Sequence, residues 1–117
     1  MLFRSDHTTF DSTDWRSRGG AFNMPLFTAE NFPRNLQVVT DLKGIAQGMG
    51  IELYHLALAW VLSNPILSVA LVGARTAGEV EANLGALDVE FSEDHLNAIN
   101  AVFDRYQVET RPDIWVE

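Results

Sequence analysis

The sequence contains no cysteine, only one lysine (Lys43) and no apolar run long enough to cross a bilayer. The lack of cysteine excludes disulfide bridges and thiolate metal sites. Lys and Arg number 8 against 16 Asp and Glu, and the net charge of −8 opposes nonspecific binding to nucleic acid or anionic membranes. The N-terminal residues also lack the apolar core of a signal peptide. These absences predict a cytoplasmic protein with neither nucleic acid nor membrane as a partner.

What is present suits one small domain, since 117 residues of ordinary hydrophobic content (47%) can bury a core. Residues 1–29 have no sustained helical or strand period and are predicted to be irregular. Loops of that length are functional, disordered, or separated from the elements that would hold them, and all three remain open. Within this segment Trp15, Phe22 and Phe27 can pack against apolar surface. Arg16 and Arg18 are interpreted first as solvated loop charges.

Two helices are predicted next. The first starts near Pro33, which suits a first helical turn, and stops at Gly50. Its apolar face has helical spacing and consists of Leu36, Val39, Leu42, Ile45, Ala46 and Met49. The second is predicted over Glu52–Ser63 and ends before Pro65. It is apolar on most sides and therefore needs cover from several directions.

The stretch from Leu67 to Leu87 carries the strongest signal for function. It begins as a short apolar run typical of a buried strand, turns at Gly73 and Arg75, and becomes helical after Thr76. Turns of this kind bind phosphates, because free N–H groups and the helix dipole attract anions. Thr76 and Glu79 have capping-box spacing, so a structural role is at least as well supported for both as contact with a ligand.

The remaining pattern completes a β/α arrangement. Residues 87–91 alternate apolar and acidic side chains, as a half-exposed strand or an extended connector does. Ser92 is predicted to cap a last helix, whose buried side consists of Leu96, Ile99, Val102 and Phe103. Two strands cannot form a complete parallel sheet, so the chain is predicted to be part of a larger α/β sheet or barrel.

Several segments, in this order and spacing, resemble the C-terminal third of the aldo-keto reductases. They are DWRS (14–17), the helix ending at Ile45-Ala46, LALAWVL (56–62), VGART (72–76) and NLGAL (83–87). The resemblance covers residues 14–104 and implies an α/β fold, a helix-rich partial (β/α)8 TIM barrel made of its C-terminal β/α units. It further implies an oxidoreductase that reduces carbonyl compounds with NADPH. The expected layout is a loop at 1–29, β/α units at 30–104 and a tail at 105–117.

The resemblance also implies a cofactor site after the seventh barrel strand. It assigns the 2′-phosphate and adenine of NADPH to Gly73, Arg75, Glu79 and Asn83. Two positions depart from the family pattern. Glu79 stands where Gln or Arg is common, and Ala82 replaces the Glu that contacts adenine. Arg75 can still pair with a phosphate bidentately, and Arg16 or Arg18 could reach the cofactor by analogy.

None of the family's catalytic Asp, Tyr, Lys and His can be carried over, because all four precede the part that this chain resembles. Lys43 is not placed to lower the pKa of a tyrosine. Tyr54 and His55 are adjacent on a helix and are expected to point to different sides, as packing or surface residues. His7 and His95 are solitary, and no metal cluster or Ser-His-Asp set is present in the sequence.

The function predicted is therefore that of a C-terminal portion of an NADPH-dependent aldo-keto reductase, truncated or separately encoded. It would carry part of the cofactor site and no catalytic tetrad, with a carbonyl substrate only in a complete barrel. Met1-Leu2 fall about where the family's sixth strand ends. The alternative is a non-catalytic binding or oligomerisation module that associates through exposed apolar surface.

Overall fold

The computed structural model describes residues 9–20 and 24–108. Their α-helices are α1 (Asn31–Gly48), α2 (Leu53–Leu62), α3 (Ala77–Leu84) and α4 (Glu93–Tyr106), with 3-10 helices at Trp15–Arg18 and Gly85–Asp88. By contacts the chain divides into two compact units, one formed by Met1–Asp41 with Val102–Glu117 and the other by Leu42–Ala101. The prediction of a helix-rich chain is confirmed, whereas no β-strand is present in the described part.

Helix α1 matches its sequence signals. Thr28 Oγ1 accepts a hydrogen bond from Asn31 N at 3.2 Å, and Pro33 lies in the first turn, where its missing N–H costs no helical bond. Beyond the C-terminus Gly50 has φ +71°, the left-handed conformation that a helix stop favours. The predicted apolar face is partly or fully buried, and Val38 joins it at 7% exposure.

Aromatic side chains organise the first unit. Phe27 and Phe32 are buried with ring centroids 5.4 Å apart, and the rings of Phe10 and Trp15 each lie 5.5 Å from that of Phe27. Gly19 has φ +87° at the end of the 3-10 helix, where the chain turns back so that Phe27 N can donate to Gly19 O at 2.7 Å. Part of the segment predicted to be irregular is therefore folded, whereas Phe22 lies outside the described residues.

In the second unit α2, α3 and residues 85–88 contact one another. Leu56 and Ile99 are almost completely buried, and Ala46 and Ala86 are nearly as inaccessible. His55 Nε2 lies 2.7 Å from the Ala82 carbonyl oxygen, which ties α2 to α3. Only part of α2 is covered, since Val61 stays 39% exposed, so the cover predicted for several sides is incomplete in the described chain.

The predicted strand at 67–72 is wrong for the chain as described. These residues lie outside any helix but form no ladder, and their largest side chains face solvent, with Leu71 96% and Val69 67% exposed. A strand exists only through hydrogen bonds to a neighbour, and no described segment supplies one. In the second predicted extended run, Leu87 and Asp88 belong to a 3-10 helix instead, and only residues 89–92 form an extended connector.

Helix α4 begins as predicted at Ser92, whose Oγ accepts from His95 N at 3.2 Å while Ser92 N donates to His95 Nδ1 at 3.3 Å. Its predicted buried side is confirmed, with Ile99 at 1% and Val102 at 5% exposure. The helix continues to Tyr106, past the predicted start of the tail at 105. The remainder of that tail, residues 109–117, lies outside the described residues.

No single helix in the described ranges has the length and hydropathy needed to cross a membrane. The successive helices α1 and α2 meet that length and composition test only when they are taken together as a bent pair.

Candidate functional site

The candidate site is the turn at residues 73–76. It connects residues 67–72, the exposed apolar segment, to α3. Thr76 has extended backbone angles (φ −135°, ψ 157°), and its Oγ1 accepts from Glu79 N at 3.2 Å. This bond satisfies one of the free N–H groups of the first turn. The N-cap predicted for Thr76 is therefore confirmed, and it fixes where the helix begins relative to the turn.

Glu79 completes the turn differently from a capping box. Its Oε2 accepts from Arg75 N at 2.6 Å, one residue before the N-cap, and its Oε1 lies 3.4 Å from Arg75 Nη2. A capping box would have placed this carboxylate on the N–H of Thr76. The carboxylate therefore engages both the backbone and the guanidinium of Arg75.

The fit of an anionic phosphate to this turn can be judged from the donors near it. The Arg75 side chain is 84% exposed, with its Nη2 3.4 Å from Glu79 Oε1, so most of the guanidinium fork faces solvent. A Cβ built on Gly73 would have no atom within 4 Å, so space for a ligand lies beside it. These groups suit a phosphate, whereas the Glu79 carboxylate is an opposing charge beside them.

Asn83 lies one helical turn beyond Glu79 on α3 and borders an apolar groove of about 310 Å³. The groove is lined by Leu58, Leu62, Ala70, Val72, Ala74, Val80, Asn83, Leu84, Ala86 and Leu87. Asn83 is its one polar side chain, and that amide makes no hydrogen bond within the described residues. A flat apolar group with polar edges suits such a groove.

The structure thus brings Arg75 and Glu79 into contact, with Asn83 on the same helix four residues after Glu79. Gly73 precedes them in the turn and has no side chain with which to contact them. His55 was not predicted to matter here, yet its bond to the Ala82 carbonyl fixes the end of α3 next to Asn83. Sequence spacing gives no signal for such a contact, because His55 and Ala82 belong to different helices.

Arg16 belongs to a local arrangement of the first unit. Its Nε lies 2.9 and 3.1 Å from the two Asp14 carboxylate oxygens, and its guanidinium carbon lies 4.5 Å from the centre of the Phe10 ring. Hydrogen bonds from the Arg16 side chain and backbone lower the pKa of Asp14 to about 2. The interpretation of Arg16 as a solvated loop charge is therefore wrong, whereas Arg18 is exposed as that interpretation expects.

The described residues do not assemble an alternative catalytic set. Lys43 is exposed on α1. The expectation that Tyr54 and His55 point to different sides is wrong, because their ring centroids lie 4.3 Å apart. Both side chains are half-buried, which agrees with the packing role predicted for them. No group of three or more His, Cys, Asp and Glu suited to a metal ion occurs in the part of the chain that the structure describes, and His7 lies outside that part.

Comparison with known proteins identifies a family for this chain. The model of the Aldo/keto reductase family matches residues 3–104. Similar curated proteins include aldo-keto reductase str7 of Strobilurus tenacellus, 26% identical over 85% of this chain and 28% of the relative. Another is aldo-keto reductase yakc [NADP(+)] of Schizosaccharomyces pombe, 32% identical over 72% of this chain and 25% of the relative. A third is a probable voltage-gated potassium channel subunit beta of Arabidopsis thaliana, 41% identical over 46% of this chain and 16% of the relative.

The chain thus spans about a quarter of the length of the first two curated relatives. No solved structure matches it.

Proposed function

The chain belongs to the aldo/keto reductase family, and from that premise we propose that it forms the C-terminal portion of an NADPH-dependent reductase of aldehydes or ketones. In this proposal the chain binds the adenosine end of NADPH through Gly73, Arg75 and Asn83, and the Glu79 carboxylate borders the same site. The cofactor supplies a hydride for carbonyl reduction in the complete barrel. One relative carries NADP(+) in its name, which supports the choice of cofactor.

The observation that carries the proposal is the open guanidinium fork of Arg75 beside the start of α3. An arginine fork matches the geometry of a phosphate, and the positive end of a helix dipole adds to the attraction. Asn83 presents an unengaged amide at the edge of the apolar groove, which can take an adenine edge. Each role follows from the chemistry of the side chain together with its position, in the turn for Arg75 and on α3 for Asn83.

We assign no catalytic role to this chain. This follows from the resemblance to the family's C-terminal third, which implies that the catalytic Tyr, Lys, His and Asp precede the part that this chain resembles. Tyr54 and His55 contact each other, and His55 also contacts the Ala82 carbonyl. The proposal is therefore that this chain holds and orients the cofactor tail, while hydride and proton transfer use groups on strands contributed from outside it.

The exposed segment supports the partial-barrel architecture. Among described residues the backbone groups of Ser68–Ala74 have no hydrogen-bond partner, and Leu71 and Val69 are exposed. Unpaired backbone beside apolar side chains suits a strand that awaits neighbours on both edges. We propose that this segment is a barrel strand and that the groove behind it closes when neighbouring strands pair with it.

Titration of the purified chain with NADPH tests the proposal, with cofactor fluorescence and calorimetry as readouts. Arg75→Ala should weaken binding about tenfold or more, since a charge-assisted hydrogen bond contributes roughly 1.5–3 kcal/mol. Arg34→Ala removes an exposed arginine of α1 that makes only a local bond to Asn31, so it is the matched control and should bind normally. No signal at millimolar NADPH would exclude cofactor binding by the chain alone.

The alternative is a non-catalytic oligomerisation or binding module derived from the barrel, which would associate through the exposed apolar residues 67–72. Light scattering after size exclusion separates the two functions. A monomer that binds NADPH supports the C-terminal portion of a reductase. A stable dimer that does not bind NADPH supports the non-catalytic module.

A further inference from the structure

We propose that Glu79 is an internal competitor for the groups that would bind the 2′-phosphate, and that it thereby lowers the selectivity of this chain for nucleotides carrying that phosphate. This inference rests on the proposed function, because it concerns the same turn. Its basis is the position of the carboxylate, which already accepts from Arg75 N at 2.6 Å.

The contacts of Glu79 place a negative charge close to where a phosphate would bind Arg75. Oε1 lies 3.4 Å from Arg75 Nη2, so a phosphate that pairs with the fork comes to lie beside a carboxylate. The Glu79 side chain is only 33% exposed, which limits its retreat into solvent. A phosphate monoester carries roughly −1.5 to −2 charges at neutral pH, so the two anions repel each other at this distance.

The competition is specific to one part of the nucleotide. Asn83 and the apolar groove lie one helical turn further along α3, and Glu79 is absent from the groove lining. An adenosine without a 2′-phosphate can use those groups while Glu79 keeps its bonds to Arg75. The carboxylate therefore penalises the 2′-phosphate and leaves the base largely unaffected.

The turn also explains why the carboxylate stays in place. Thr76 Oγ1 holds Glu79 N at 3.2 Å, which fixes the backbone from which the side chain projects back toward Arg75. The bond from Arg75 N closes this loop from the other side. A phosphate must displace a carboxylate that is attached at two points.

The test compares two probes, adenosine 2′,5′-bisphosphate and adenosine 5′-monophosphate, whose dissociation constants are measured by calorimetry on the full chain. Glu79→Gln keeps an oxygen able to accept from Arg75 N and removes the charge. The affinity ratio of bisphosphate to monophosphate should rise about tenfold in this variant, as expected for removing one charge close to a phosphate at a partly exposed site. Glu81→Gln removes the same charge from an exposed position of α3 and should leave the ratio within about twofold.

Three outcomes are distinguishable. A ratio that rises in Glu79→Gln and not in Glu81→Gln supports the competition. A ratio unchanged in Glu79→Gln, with both probes still bound, overturns the competition and leaves the proposed cofactor site intact. If neither probe binds the parent chain or the variants, the proposed function fails and this inference fails with it. Circular dichroism of each variant verifies that the helix content of the chain is retained. Glu79→Ala removes both the charge and the acceptor and must raise the ratio as well.

Discussion

Two apolar regions of this molecule differ in how far their side chains are buried. The loop around Phe27 has no helical or strand periodicity in its sequence. Its aromatic rings nevertheless pack together, and Phe27 and Phe32 are each only 7% exposed. The segment from Ile66 to Val72 has the composition of a buried strand, yet Leu71 is 96% exposed. Apolar composition thus indicates that burial is favourable, but burial also requires a partner surface. The loop has one among its neighbouring residues, whereas the described residues offer none to the segment.

The backbone shows the same contrast. In the loop Phe27 N donates to Gly19 O at 2.7 Å. The Asn31 side-chain amide donates to Pro25 O, and that of Asn35 donates to Leu26 O, both at 2.9 Å. Along Ser68–Ala74 no backbone hydrogen bond joins any other described residue. A loop with local partners can therefore be ordered without secondary structure, whereas a strand cannot satisfy its own backbone.

The largest effect is expected for Phe27→Ala, because it removes a ring that three other aromatic rings contact. Truncating a buried phenylalanine costs about 3 kcal/mol or more of unfolding free energy. Urea denaturation followed by tryptophan fluorescence measures this loss. Leu26→Ala, at the neighbouring and more exposed position, is the control and should cost under about 1 kcal/mol. Equal losses for the two variants would contradict the aromatic cluster as the organising contact.

Gly85→Ala should have the next largest effect, because a Cβ there would lie 2.7 Å from His55 Nε2. The imidazole must then move away from the Ala82 carbonyl, at a cost of about 1–2 kcal/mol in thermal or urea unfolding. Gly78→Ala is the matched control, since its nearest neighbour is Thr76 Oγ1 at 4.0 Å. That control should be neutral or slightly stabilising. If Gly85→Ala were equally benign, the bond between α2 and α3 would not hold in solution.

A smaller effect is expected from acid. Hydrogen bonds from Arg16 lower the pKa of Asp14 from 3.8 to about 2 in the folded chain. A carboxyl group with a lowered pKa stabilises the fold above its unfolded pKa, so this contribution is complete above about pH 4 and is lost as the pH falls toward 2. Asp14→Asn should flatten the stability profile in that window, measured by urea midpoints at each pH. Glu30→Gln, an exposed acid near the same loop, should leave the profile unchanged.

The smallest effect is expected for Leu71→Ser. An exposed side chain without partners contributes little, so the unfolding free energy should change by less than about 0.5 kcal/mol. A loss above about 2 kcal/mol would mean that the segment is buried in solution, and the contrast with the loop would disappear. The same variant should weaken any association that uses this surface, which light scattering at increasing concentration detects.

Local chemistry made much of the fold predictable from sequence. Pro33, Gly50, Thr76 and Ser92 mark helix ends because their effects act on the adjacent backbone. The family was also predictable, from motifs spread along the chain. The contact between the tilted rings of Tyr54 and His55 was not predictable. It depends on the His55 rotamer, which places the imidazole next to the Ala82 carbonyl on another helix.

The candidate site was predictable in position but not in detail. Spacing placed Thr76 at the N-cap, whereas the choice of Arg75 N by the Glu79 carboxylate depends on rotamers and on a local attraction to the guanidinium. The strand at 67–72 failed for a different reason. Its periodicity and composition are those of a paired strand, but pairing is a property of two segments, and the sequence of one segment specifies only half of it.

The unpaired backbone of Ser68–Ala74 also gives the chain an internal reporter. Amide protons without hydrogen-bond acceptors exchange with deuterated solvent far faster than those of the core helices. When a neighbouring strand pairs along one edge, the amides that face it become protected while alternate ones stay fast, since successive residues of a strand point their N–H groups to opposite edges. An alternating exchange pattern would therefore indicate pairing on one edge, and uniform protection would indicate pairing on both.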